Sequence, residues 1–351
     1  MIPAVVPCTD RALWDEYVDR FQGHPQQLWG WGETKATHGW SVDRVLVKAG
    51  EEIIGCAQLL VRRLPVPFRA LVYIPRGPMC SVENAQVVLN RLAEHAVLRH
   101  RGVALSIEPD WDRDSGFAGA VAAAGFRESA NTVLIPRTLI LDLTRSDDEL
   151  MAEMSKSTRA NIRKAMRSDV EFRKVKNDSE LEQVLAIYHD TAARAGFGIH
   201  EDQYYRDIFR NLGDASPIIA AFDGEQMLAF TWLSRSGATA FELYGGVSAE
   251  GQKQRVNYGV KWAALQSMRE DGCSRYDFNG LLNDGISDFK KQFAKHENML
   301  LGTWDRPLSP FYPAYATAMP LARKGLQQGR RLVKTAAGRV VPLVRKLRPA
   351  S

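Results

Sequence analysis

No acidic residue follows Asp305 in this 351-residue chain, and cysteine occurs only four times. Cys8, Cys56, Cys80 and Cys273 are scattered, with no CxxC pair and no His at ligand spacing. Neither a disulfide framework nor a zinc site is expected from them, and buried free thiols are. Long hydrophobic runs are missing too. Apolar stretches such as Ile53-Ile54-Gly55-Cys56-Ala57 are short and broken by Gly or Arg, which leaves no candidate for a transmembrane helix. The opening residues, Met1-Ile2-Pro3-Ala4-Val5-Val6-Pro7, lack the basic start and long apolar core of a secretory signal, so a cytoplasmic location is expected.

What is present suits a folded protein. Hydrophobic residues make up 45% and charged residues 25%, over a length sufficient for two domains with their own cores. Charge is unevenly spread. The net charge is +5, yet nine basic residues from Arg323 to Arg348 sit in the acid-free end, so the remainder carries −4. A polyanionic partner would be felt in this tail, 321–351. The tail also carries an apolar stripe, Leu332, Val333, Ala336, Val340, Val344 and Leu347, so peripheral contact with an anionic membrane face is a second expectation.

The chain repeats itself. Val45 to Gly55 reads as strand, tight turn and strand, and Ile218 to Leu228 repeats the pattern, with Gly50 and Gly224 at an offset of 174. A strand ending at Tyr73-Ile74-Pro75-Arg76-Gly77 is matched at Tyr244-Gly245-Gly246. Helices Val87 to His100 and Asn257 to Glu270 follow, each closed by a Gly turn. Short strands then end at Glu108-Pro109 and at Asp277-Phe278-Asn279, and short helices begin after Gly116 and Gly285, at an offset of 169. Offsets that drift this little fit one duplicated unit. The unit is an antiparallel meander, a helix, a parallel strand and a helix, an α/β (α+β) pattern of mixed sheets flanked by helices. Residues 1–145 form the first unit, completed by 301–320, and 146–300 the second. Between them Ser146 to Arg167 reads as one helix with a Ser146/Glu149 capping box. Val170 to Val175 reads as an edge strand and Asp178 to Arg194 as a helix.

This unit looks like that of GNAT acetyltransferases, in which a central strand splits from its neighbour and ligand enters the gap. Their pyrophosphate-binding Gly loop is degenerate here. Gly251-Gln252-Lys253-Gln254-Arg255-Val256-Asn257-Tyr258-Gly259 lacks the glycine pair, and Ser81 to Gln86 has no glycine at all. A duplicated GNAT unit without a working CoA loop resembles the Fem family of aminoacyl-tRNA-dependent peptidoglycan transferases. Local motifs carry the resemblance: Leu28-Trp29-Gly30-Trp31-Gly32-Glu33-Thr34-Lys35 with Gly39-Trp40, Tyr73 to Pro78, Ser157 to Ala165, and Tyr276-Asp277-Phe278-Asn279-Gly280 followed by Phe289-Lys290-Lys291-Gln292-Phe293. The chain has no long coiled-coil arm between halves, which is similar to the smaller members that act on nucleotide-linked precursor.

The resemblance implies a monomeric enzyme, free of metal and cofactor, moving an amino acid from aminoacyl-tRNA to an amine of a UDP-linked or lipid-linked muropeptide. It makes Lys290 the catalytic cation and Phe289 a stacking platform beside it. Glu108 takes the place of a strand-end carboxylate that orients or deprotonates the amine. Lys35, with Trp31, Arg76, Tyr204 and Tyr244, is expected to hold the acceptor. His200 stands where relatives have Arg, which removes a permanent bidentate charge. Arg159, Arg163, Lys164 and Arg167 supply a basic helix face for tRNA. Two other chemistries fit these residues: the same transfer to a natural-product peptide amine, which the missing Arg would permit, and CoA-dependent N-acyl transfer, which the absent Gly loop opposes.

Overall fold

The computed structural model describes residues 2–320. The tail stripe and its cations therefore lie outside the described residues. Two sheets carry the structure. The first runs in space Ala4–Pro7, Ser41–Ala49, Glu52–Arg63, Ala70–Pro75, Gly102–Glu108, Trp304–Pro307, Arg127–Glu128, and Met79–Cys80 adds a short rung on Glu52–Arg63. The second runs Glu171–Lys174, Ile218–Asp223, Gln226–Ser236, Thr239–Val247, Arg275–Asp277, Ile140–Asp142. Ile140–Asp142, on the N-terminal side of residue 145, thus pairs in the second sheet, antiparallel to Arg275–Asp277.

The repeated pattern is physical. Two-residue turns at Gly50-Glu51 and Gly224-Glu225 close equivalent hairpins, with φ of 68° and 59° at the two glycines, conformations that any Cβ would strain. In each sheet the third meander strand pairs in parallel with the strand following a long helix, Val82–His100 in one and Val256–Glu270 in the other. The two sheets differ at this junction. Ala70–Pro75 pairs with Gly102–Glu108 along its whole length. Thr239–Val247 pairs with Arg275–Asp277 only as far as Phe241, and beyond Glu242 the strands part. The ligand-admitting split expected of both units is therefore open in the second and zipped shut in the first.

The helix expected from Ser146 to Arg167 is two. Asp147–Glu153 carries the capping box at Ser146 and Glu149, and Lys156–Ala165 starts afresh from Ser155. Met154 is extended, and the Ser155 hydroxyl accepts from Thr158 N–H at 3.1 Å. A hydroxyl placed there competes for backbone donors and restarts the helix.

A core lies between the sheets. Trp14, Val18, Leu28 and Trp31 from the N-terminal region meet Tyr188, Tyr204, Tyr205, Phe230 and Trp232, all buried together with Leu46 and Cys56 of the first sheet. Separate cores cover the outer face of each sheet. All four cysteines are free, and no helix of the described residues is long and apolar enough to cross a membrane.

Candidate active site

Close helix packing builds the first part of the site. In Trp29–Ala36 a Cβ at Gly30 would lie 2.2 Å from the Asn211 carbonyl oxygen, so only glycine lets Asp202–Leu212 approach this closely. His38 and Thr37 then bond Asp207, at 3.0 and 3.1 Å. This contact delivers Lys35 to Tyr204: Lys35 Nζ donates to the tyrosine hydroxyl at 2.5 Å and lies 4.7 Å from the Trp31 ring centroid. Burial, with Arg62 nearby, brings the Lys35 pKa down to about 8. The His200 ring lies tilted against Tyr204, with centroids 4.2 Å apart, and Tyr204 hydrogen-bonds Tyr244. Burial drives both phenols above their ordinary range. The Trp31 indole N–H is buried with no protein acceptor. The five residues Trp31, Lys35, His200, Tyr204 and Tyr244, far apart in sequence, form one cluster.

Lys290 sits at the mouth of the split. Its Nζ donates to the carbonyl oxygens of Asn279 and Gly280, at 3.0 and 3.2 Å, and burial lowers its pKa against the opposing pull of Glu242. Asn279 holds those carbonyls in place from a left-handed conformation (φ 60°), with its N–H on Asp277 Oδ1 at 2.7 Å and its amide on Glu242 O at 3.0 Å. Glu242 itself receives Lys261 and the Tyr276 hydroxyl, both at 2.6 Å. Phe289 packs on Tyr258 and Phe293, and Lys291 turns away to Glu297 at 2.9 Å.

Arg76 stands on the first-sheet side of this wall. It is buried in a left-handed conformation (φ 51°), its charge 5.9 Å from the Phe241 ring, and its Nε and one Nη lack protein partners. His24 meets the same ring at 4.4 Å, and burial brings its pKa down to about 3. Nearby Arg275 bonds Asp110 through both Nη atoms, at 2.9 and 3.2 Å. Burial would raise the Asp110 pKa, but Arg275 and His24 hold it at about 2. Asp277, wholly buried, is raised by its burial. The strand Thr239–Val247 is thus the common wall of three groups, through Phe241, Glu242 and Tyr244. A register shift at Leu243 lets Phe241 and Tyr244, three residues apart, both contact rings on the inter-sheet side, a use of bulges common beside active sites.

Two expected residues are occupied elsewhere. Glu108 is not placed to take a proton from an amine. Its oxygens accept from the Tyr73 hydroxyl, from Val133 N–H at 2.7 Å, from Leu134 N–H at 3.0 Å and from the Thr303 hydroxyl at 2.6 Å. A carboxylate so saturated anchors the loops at 133–134 and 303. Arg159 turns inward to the Met154 carbonyl at 2.6 Å and caps the preceding helix. Arg163, Lys164 and Arg167 are exposed and line an open groove of about 600 Å³ with Ala160 and Ser168.

Sequence reading missed Glu242, Lys261, Asp110, Arg275 and Asn279. Lys261, inside the apolar run Val260 to Leu265, carried a signal: a charge on a buried helix face needs a partner. It also missed Asp43, His95 and His100, whose ligand-type atoms lie within 4.8 Å of one another. Both imidazoles already bond one Asp43 oxygen, at 2.8 and 2.7 Å.

The chain belongs to the FemAB family, whose model matches it at residues 10–116, 118–222 and 210–319. It is 25% identical to the lipid II:glycine glycyltransferase of Staphylococcus saprophyticus, over 91% of this chain and 98% of that one. With the protein of the same description in Staphylococcus aureus USA300 it is 23% identical, over 86% and 94% of the two chains. Its fold matches a crystal structure of FemX with TM-score 0.81 at 19% identity, covering 89% of this chain and 99% of that chain. A tandem GNAT protein from the clavulanic acid pathway matches with TM-score 0.53 at 14% identity, over 88% and 99%.

Proposed function

We propose that this FemAB-family chain transfers an amino acid from aminoacyl-tRNA to the free amine of a peptidoglycan precursor's stem peptide, in the synthesis of interpeptide bridges. The lipid II named for its relatives makes a lipid-linked precursor the acceptor we favour. Its two GNAT-like units are residues 1–145 completed by 301–320, and 146–300, with Ile140–Asp142 of the first lent to the second sheet.

The observation that carries the reading is Lys290: a half-buried cation at the only split among the two junctions, with two N–H groups given to backbone carbonyls. The third N–H is left for a reacting oxygen. When the acceptor nitrogen attacks the ester carbonyl, a C–N bond forms and the carbonyl electrons move to oxygen. Lys290 meets that oxyanion. Collapse breaks the bond to the ribose oxygen, and the net proton passes from nitrogen to that leaving oxygen. Lys35, Trp31, Tyr204 and Tyr244 hold the acceptor, with Lys35 on its diphosphate, and Arg163, Lys164 and Arg167 face the tRNA. CoA chemistry has less support. Where a pyrophosphate loop would lie, Ala249–Gln254 is a helix capped by Ser248, running directly into Val256–Glu270 through Arg255.

Lys290→Met tests the assignment, since it keeps most of the apolar stem. Transfer from charged tRNA should lose roughly 10²- to 10³-fold in kcat, as for a lost oxyanion donor, with acceptor affinity little changed. Lys291→Met should turn over normally, because its ammonium faces Glu297. Near-normal kcat in Lys290→Met would sink the catalytic role.

A further inference from the structure

Two acid-free stretches of sequence meet at one end of the first sheet's central strands. No Asp or Glu occurs between Glu52 and Glu83, and none after Asp305. The first stretch contributes the hairpin between Glu52–Arg63 and Ala70–Pro75, and the second the helical segment 312–320. Phe68 of the hairpin meets Tyr315 of that segment edge-on at 5.9 Å, within a small core of their own. The hairpin is preshaped: Leu64 N–H bonds Arg69 O at 2.8 Å, Phe68 N–H bonds Pro65 O at 3.0 Å, and Arg69 is left-handed (φ 65°).

At its tip Val66 is 90% exposed, more than any other large hydrophobic among the described residues. Arg62, Arg63 and Arg69 stand around it, all exposed, and Phe311 (46% exposed) opens the neighbouring helical segment. The patch is also continuous with the acceptor cluster. Arg62 stacks on Trp40 at 4.6 Å, and its charge reaches Lys35.

We propose that the 62–69 hairpin is the surface by which this protein rests on an anionic phospholipid membrane, so that the diphosphate of a lipid-linked acceptor meets Arg62 and Lys35. This rests on the lipid-linked reading above. Arginines around an apolar tip match such a surface on both counts: each cation is drawn to anionic headgroups, and the tip gains by leaving water. An RNA backbone would attract the arginines equally but offers an exposed valine nothing, since phosphate contacts are made by charged and polar groups. The membrane is therefore the occupant the residues favour.

The test uses the full chain, with vesicles of phosphatidylglycerol and phosphatidylcholine or of phosphatidylcholine alone. Wild type should sediment with the anionic vesicles and not the neutral ones. Val66→Asp should weaken that partition about tenfold, the scale of one valine's burial, and Arg63→Glu/Arg69→Glu by more. Transfer to a lipid-linked acceptor in the same vesicles should fall with the partition, while transfer to a water-soluble nucleotide-linked acceptor stays unchanged. Unaltered partition in both variants overturns the proposal. So does equal loss on both acceptors with partition intact, which would make the patch part of the transfer site, or weakened tRNA binding with partition intact, which would make it an RNA surface. If partition falls as expected but wild type never uses the lipid-linked acceptor, the membrane surface stands and the acceptor reading fails.

Discussion

Lys35 holds its charge between two aromatic rings and within reach of Arg62, and with a pKa of about 8 it is partly neutral just above physiological pH. That sets the pH dependence of acceptor binding. A bound diphosphate favours the ammonium, so below pH 8 the site is already charged, and above it each acceptor bound must bring a proton. KM for a diphosphate-bearing acceptor should therefore be flat to about pH 8 and then rise, approaching tenfold per pH unit. Lys35→Arg keeps a permanent charge and should flatten the rise, although its planar fork fits the pocket less well. The measurement is KM from pH 7 to 9.5 in both enzymes. A wild-type profile with no rise would remove Lys35 from the diphosphate contact.

At the scale of elements, the strand Arg275–Asp277 does more than bridge Thr239–Val247 and Ile140–Asp142 in the second sheet. Through Arg275 it grips Asp110, which follows the first-sheet strand Gly102–Glu108, so one bidentate ion pair ties the two sheets beside the site. Both side chains are largely buried, with exposures of 26% and 16%. Arg275→Met would strand the Asp110 carboxylate and should cost about 3–5 kcal/mol in urea unfolding, the scale for breaking a buried pair. Adding Asp110→Asn removes the stranded charge and should recover a good part of that loss. Strictly additive losses would show that the pair does not act as a unit. The pH sign follows from the depressed Asp110 pKa. Its folded value is about 2 and its unfolded value near the ordinary 3.8, so the contribution is complete above about pH 4 and drains away as pH falls toward 2.

The whole molecule is laced together by chain crossings. Trp304–Pro307 returns to pair with Gly102–Glu108, its first partners Trp304 and Ile107 lying 197 residues apart, and Ile140–Asp142 leaves early to pair in the second sheet. The inter-sheet core adds Trp14 and Trp31 from one side and Tyr205 and Trp232 from the other. Neither sheet can lose its partner without exposing that core, so unfolding should be cooperative across both. Urea transitions followed by tryptophan fluorescence and by far-UV circular dichroism should coincide, and Trp232→Ala should shift both together by about 3–5 kcal/mol. Two separated transitions would mean that the sheets fold independently.

The duplicated order of elements, the glycine hairpin turns, the Ser146 capping box and the Trp-Gly-Trp-Gly run ending in Lys35 were all legible in the sequence. The turns and the cap rest on neighbours: a turn needs φ > 0 and a cap needs a hydroxyl three residues before its donor, while the Trp-Gly-Trp-Gly run was legible as a motif and not as a helix contact. The break at Ser155 was equally local and was passed over because the surrounding residues favour a continuous helix. The rest was decided only in three dimensions. Glu108 is saturated by donors from 133, 134 and 303, and Asp110 finds Arg275 at a separation of 165 residues. Asp43 gathers two histidines from a helix more than fifty positions away. Whether a carboxylate is a base, a loop anchor or half of an ion pair depends on which faces meet across the core. Residue type and spacing alone do not contain that information, because a charge's chemistry is set by the distant groups that share its low-dielectric surroundings.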